Sequence, residues 1–211
     1  MRSILMNAWS IQVILAGHKT QTRRVMKIQP ISENGIWRWK PRAGWDVNTE
    51  HINGAMSPWG KPGDSLWVRE GYKIQDGLHF LAGGNWQAGV CGFYLADRML
   101  FTKALTASEL AKWRARKYPY RASPGRFMYR SLSRITLEIL SVRAEQIQDI
   151  TEEDAIAEGE RPVPTIDNMG FFCARGLFQN VWNDIHKHDG YDWDGNPWVW
   201  ALEFKMMSPG D

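Results

Sequence analysis

The spacing of apolar positions changes several times along the chain, and each change predicts an element. Over residues 4–16, Ile4, Leu5, Ile11, Ile14 and Leu15 recur at broadly helical spacing, and Gly17 follows where a helix C′ residue would stand; one helix is predicted. The next segment, Lys19 to Val25, is Thr-rich and reads as extended, with Thr22 and Arg24 on one face. Residues 29–60 are broken by Pro30, Gly35, Pro41, Gly44, Gly54, Pro58 and Gly60, and read as an irregular, loop-rich insertion. At Pro62-Gly63 a turn leads into a strand whose Leu66 and Val68 point one way. Residues 71–100 read as short strands joined at Gly83-Gly84 and Gly89.

The second half is more regular. Thr106 ahead of Glu109 forms a capping-box pattern and opens a helix over 106–117. Ile135, Leu137 and Ile139 alternate within a strand spanning 132–142. Thr151 and Asp154 open a short acidic helix that Gly159 stops. A loop begins at Pro162 and Pro164, a helix follows over 175–186, and Trp198 to Phe204 form a closing strand. This order, with no internal repeat or interdomain linker, predicts an α+β fold and a single domain over 1–211 with insertions at 29–60 and 71–130.

Composition adds limits. A 211-residue globule removes about 70% of its unfolded surface from water and needs no disulfide or metal to fold. No apolar run has the length of a membrane span, and the first residues lack the pattern of a signal peptide, so no membrane partner and a cytoplasmic setting are expected. Cys91 and Cys173 lie far apart and form no CxxC pattern, which argues for reduced thiols and against a structural zinc site. Net charge is +3, compatible with a polyanionic partner but far below that of a dedicated non-specific DNA binder. Lys19, Arg23, Arg24 and Lys27 cluster, as do Arg114, Arg116, Lys117, Arg121, Arg126, Arg130 and Arg134; as plain surface chemistry these are two solvated basic faces. Twelve Trp residues are spread from Trp9 to Trp200. Most are expected in the core, where each buries about 150–250 Å². A few could stack on bases.

Four segments in order resemble the ASCH family, which has the PUA-like fold. The run from Ile14 to Arg24 follows the signature Gly-x-Lys-x-x-[Thr/Glu]-x-Arg through Gly17, Lys19, Thr22 and Arg24. Lys61 to Val68 is similar to the family's Gly-Asp strand entry, Ile147 to Gly159 to its acidic helix, and Asn196 to Phe204 to the last strand of longer, phage-associated members. The resemblance implies a small PUA-like β-barrel with flanking helices and long loop insertions. Bacterial N4-acetylcytidine amidohydrolases of this family use a Lys, a Thr and a Glu, and the similarity carries that trio onto Lys19, Thr22 and Glu158. Arg24 also matches a family Arg. The chain is about twice the length of those amidohydrolases, and its two insertions have no counterpart there.

The trio makes chemical sense for amide hydrolysis, which needs a nucleophile, a carrier for its proton and donors for the oxyanion. A Thr hydroxyl is a weak nucleophile, and a neutral amine beside it is a natural activator. Burial and the Arg24 charge would both disfavour the Lys19 ammonium and so free that amine. Glu158 would then protonate the leaving exocyclic nitrogen or hold the pyrimidine edge, and Arg24 would fix a carbonyl or phosphate. The expected activity is removal of acyl groups from N4 of cytidine-type nucleosides or bases, with no metal and no cofactor. Arg126 and Arg130 are further substrate-binding candidates. The alternative is an RNA- or DNA-binding module, nucleolytic or reading a modified base, with Arg121, Arg126, Arg130 and Arg134 on phosphates and Trp residues stacking. Without the resemblance, the same residues read as a surface turn and a helix end.

Overall fold

The structure, a computed structural model, describes residues 1–40, 47–48, 56–82, 85–116, 120–161, 163–164 and 171–208. In chain order the elements begin with β1 (Arg2–Leu5), α1 (Ala8–Leu15), β2 (Gln21–Val25), β3 (Ile31–Glu33), β4 (Ile36–Trp39), β5 (Val47–Asn48) and β6 (Ser65–Arg69). Then come β7 (Tyr72–Ala82), β8 (Asn85–Tyr94), β9 (Leu100–Ala104), α2 (Ala107–Arg114) and β10 (Thr136–Gln146). The chain ends with α3 (Glu152–Ala157), β11 (Val163–Pro164), β12 (Phe171–Phe172), α4 (Ala174–His186) and β13 (Trp198–Met206). The protein is α+β, with four helices and several sheets among the described residues. The largest sheet has strand order β1-β6-β10-β13-β2, and no closed barrel is formed among the described residues.

Two compact units are separable. The first comprises Met1–Leu15, Ser65–Leu137 and Met206–Asp211; the second comprises Ala16–Asp64 and Glu138–Lys205. In the first unit β1 runs parallel to β6, from Arg2 opposite Leu66 to Leu5 opposite Arg69. β7 and β8 form a long antiparallel ribbon, with β9 on the far side of β8. Its core gathers Tyr72, Ile74, Val90, Tyr94, Phe101, Trp113 and Leu132. Glu70 is buried there and takes a two-pronged contact from Arg134, both arms at 2.8 Å. Burial pushes the Glu70 carboxyl above its ordinary pKa, against the pull of Arg134.

In the second unit β13 lies antiparallel to β2, from Val199 opposite Val25 to Glu203 opposite Gln21. The periodicity of two puts Arg23 and Val25 with Ala201 and Val199 on one face. Thr22 and Arg24, with Leu202 and Trp200, are on the other. Val25 and Val199 belong to a core built with α3 and α4, from Ile147, Ile150, Ala155, Phe178, Trp182 and Trp193. Two edge-on aromatic pairs, Trp39 with Trp200 and Trp37 with Trp198, pack at ring separations of 5.6 Å each.

Local signals mostly found their elements, and the exceptions have physical causes. The helix predicted over 4–16 is a strand followed by a shorter helix. Parallel pairing claims Arg2–Leu5, and Asn7 Oδ1 accepts the Ser10 N–H at 2.7 Å, capping α1 at its start. Residues 31–39 inside the supposed loop form β3 and β4, paired across Asn34 and Gly35, both with positive φ as a tight hairpin turn requires. Residues 71–100 form two long strands rather than several short ones. β10 begins four residues later than the strand predicted from 132, because Arg130–Leu132 make a 3₁₀ turn first. α2, α3, α4 and β13 stand where the sequence puts them, α2 with a complete Thr106–Glu109 capping box. Most of the loop read from Pro162, the Gly83-Gly84 junction and the glycines at 44 and 54 lie outside the described residues.

Candidate functional site

The site belongs to the second unit and starts from an edge. β2 ends the strand order of its sheet, leaving one side of its backbone without a strand neighbour. The C-terminal end of α3 covers that side just ahead of the strand, where the Thr20 N–H donates to the Ala157 carbonyl at 2.8 Å. Thr151 caps the start of α3 by accepting the Asp154 N–H. Its end is a Schellman motif. Glu158 is the cap, Gly159 takes φ 106° and donates to Ile156, and the Glu160 N–H reaches back to the Ala155 carbonyl. This turn fixes the backbone of both glutamates. Both are buried.

Beside a strand edge, Glu158 is accessible to side chains from both faces. The Lys19 ammonium donates to Glu158 Oε2 at 2.5 Å and to the Glu158 carbonyl at 2.6 Å. Arg23 Nη1 stands 3.4 Å from Glu158 Oε1. Arg24, from the other face, feels the Glu158 charge as well, and its guanidinium lies 5.9 Å from the centre of the Trp59 ring.

Burial sets the protonation chemistry. It holds the Lys19 ammonium below its ordinary pKa of 10.5, against the pull of Glu158 and with a smaller push from Arg24. It also lowers Arg24, which the Glu158 charge partly offsets. The Glu160 carboxyl is raised by burial and by the neighbouring Glu158, against the charge of Lys19. An amine that gives up its proton more readily than usual thus sits beside two carboxylates.

Behind Glu158 stands a closed ionic ring. Arg23, its side chain fully buried, donates through Nε to Glu145 at 2.7 Å and through Nη2 to Asp154 at 2.8 Å. Arg143 contacts the same two carboxylates from outside, at 2.6 and 2.8 Å. Burial would raise Asp154, but the Arg23 charge and hydrogen bonds from Gln21 and Arg143 outweigh it and hold the carboxyl below its ordinary range.

The structure therefore brings Lys19 and Glu158, which are 139 residues apart in sequence, into direct contact. Thr22 is buried one position before Arg23, on the Arg24 face of β2. Arg126 and Arg130 belong to the first unit and are exposed, Arg126 with its guanidinium over the exposed Phe127 ring at 4.8 Å. The basic cluster around Lys19 is not a solvated face, because Lys19 and Arg23 are both buried. The second cluster divides. Arg116 holds Tyr72, Ser123 and Phe127, Arg134 holds Glu70 and Asp97, and Arg121, Arg126 and Arg130 remain on the surface.

Sequence reasoning missed Arg23, Glu145, Asp154, Glu160 and Trp59. One signal could have found Arg23. In an edge strand packed under a helix, the residue between Thr22 and Arg24 must face that helix. The acidic first turn of α3 then supplies its partner.

Comparisons with known proteins add little. No family model matches the chain, and no curated protein matches it. Among solved structures, the chain is similar to protein EF3133 from Enterococcus faecalis V583, assigned to the family model DUF984. Sequence identity is 8% and the TM-score 0.41, over 98% of this chain and 80% of that one. A likeness of that depth says nothing further about fold or function. Among the described residues, no helix is long and apolar enough to cross a membrane.

Proposed function

We propose that the chain is an amidohydrolase that removes acyl groups from N4 of cytidine-type nucleosides or bases, on a fold of the PUA-like, ASCH type. The observation that supports it most is the buried Lys19–Glu158 contact, which joins the two motif segments that resemble that family. In this reading the Thr22 hydroxyl attacks the acyl carbon while the neutral Lys19 amine takes its proton. Collapse of the tetrahedral intermediate breaks the C–N bond. The exocyclic nitrogen leaves with the proton that Lys19 took from Thr22, delivered directly from the ammonium or relayed through Glu158. Water then hydrolyses the Thr22 ester, so the sum is N4-acylcytidine plus water giving cytidine and a carboxylic acid. Lys19 suits the base role because burial lowers its pKa, and bases work best with pKa values near the working pH. Arg24 lies on the Thr22 face of β2, and in this reading it holds the acyl or ring carbonyl.

The test uses purified protein with N4-acetylcytidine and N4-benzoylcytidine, following cytidine by ultraviolet absorbance. Wild type should turn over. Thr22→Ala and Lys19→Ala should each lose turnover by about 100-fold or more, while Glu158→Gln lowers it. Unchanged rate in Thr22→Ala removes the nucleophile assignment.

A second reading, nucleic-acid binding, draws on the exposed Arg121, Arg126 and Arg130, with the exposed Phe127 ring under Arg126. It requires no turnover by wild type and RNA or DNA affinity that falls steeply with salt.

A further inference from the structure

We infer that Arg23 is a positioning residue of this site, the group that fixes the Glu158 carboxylate against Lys19; the inference rests on the reading of the Lys19–Glu158 pair as functional. A carboxylate on a Glu side chain has three rotatable bonds, and one contact with a flexible lysine does not orient it. The second contact comes from a guanidinium that cannot move. Arg23 emerges from a paired strand, its side chain is fully buried, and Glu145 and Asp154 hold it on two edges. Its remaining nitrogen, Nη1, is shared between Gln21 Oε1 at 3.3 Å and Glu158 Oε1 at 3.4 Å. At that length the pull on Glu158 is chiefly electrostatic, and in a buried setting it acts with little screening.

Charge arrangement explains why the ring is needed. The charged groups acting on Glu158 and its lysine are Lys19, Arg23, Arg24 and Glu160. Three cations facing two buried carboxylates would be an unbalanced site. Glu145 and Asp154 neutralise Arg23 from behind, and Arg143 balances them in turn from the half-exposed side. Arg23 can thus orient Glu158 without competing strongly with Lys19 for it. A lysine at this position would carry the charge but not the planar fork, and could not reach all of these acceptors from one nitrogen.

The experiment compares wild type with Arg23→Gln and with a neutralised triple variant, Arg23→Gln, Glu145→Gln and Asp154→Asn, which leaves no buried charge of the ring unpaired. Circular dichroism and melting temperature establish folding, and all measurements are made below melting. Lys19 is acylated with dilute acetic anhydride and its labelling rate read by mass spectrometry, with the exposed Lys27 and Lys61 as internal references. We expect Lys19 labelling to rise about tenfold relative to those references when Arg23 is lost, as the pair loosens. On N4-acetylcytidine we expect kcat to fall about 100-fold with KM little changed.

A residue that only supports the fold would lower the melting temperature and leave Lys19 reactivity and kcat as in wild type. That result in either folded variant overturns the inference. If Arg23→Gln does not fold, the triple variant decides by the same labelling. If the triple variant also fails to fold, Arg23 is structural and the inference falls. A labelling response together with no turnover by wild type sinks the amidohydrolase reading and leaves the positioning role standing.

Discussion

Asp154 shows at the scale of a residue how the ionic ring couples to stability. Its folded pKa lies below the ordinary 3.8, because Arg23 and the hydrogen bonds from Gln21 and Arg143 outweigh burial. As pH falls, the unfolded chain takes up the proton first. The stability that Asp154 contributes is therefore present above the unfolded value and lost as pH drops through the lower folded one. Urea midpoints measured between about pH 5 and about pH 2.5 should fall less steeply in Asp154→Asn than in wild type. Equal slopes would mean that the carboxylate gains nothing from its two arginines. At this scale the sequence named Lys19, Thr22 and Glu158 through a motif. Arg23 could be read only as one of four neighbouring cations, since burial depends on what packs above a strand.

At the scale of elements, the β7–β8 ribbon depends on a glycine that no turn requires. Gly92 is buried in mid-strand opposite Ile74, and a Cβ there would run into the carbonyl oxygen of Lys73. Gly92→Ala should therefore destabilise the protein by about 1–3 kcal/mol through overpacking, read as a lower urea midpoint. A neutral result would show that the bulge between Ile74 and Asp76 can absorb the methyl group. Elements with strong local signals were legible. The Thr106–Glu109 capping box, the Thr151 cap, the Gly159 stop and the alternation leading into β10 are fixed by neighbours within four residues. The first element was not legible, because Ile4 and Leu5 at the end of a strand happen to continue the helical spacing of Ile11 and Ile14. Only the partner strand, 64 residues on, separates the two.

For the molecule as a whole, pairing order sets which backbone is protected. β13 lies between β10 and β2, and Val199, Trp200, Ala201 and Leu202 are all buried. β3 and the turn into β4 are exposed from Ile31 to Ile36. Hydrogen exchange should be slowest at 199–202 and faster by orders of magnitude at 31–36. Comparable rates in the two segments would contradict the strand order. The sequence by itself determined the class of fold, most of the helices, the closing strand and three candidate residues, because periodicity, caps and motifs are short-range patterns. Tertiary structure alone decided that Lys19 meets Glu158 across 139 residues, that Arg23 is enclosed by Glu145 and Asp154, and that Arg126 and Arg130 fall in a different unit from the trio. Those outcomes follow from which strand lies at the edge of a sheet and which helix covers it. Long-range pairing settles both, and it leaves no trace in the spacing of neighbouring residues.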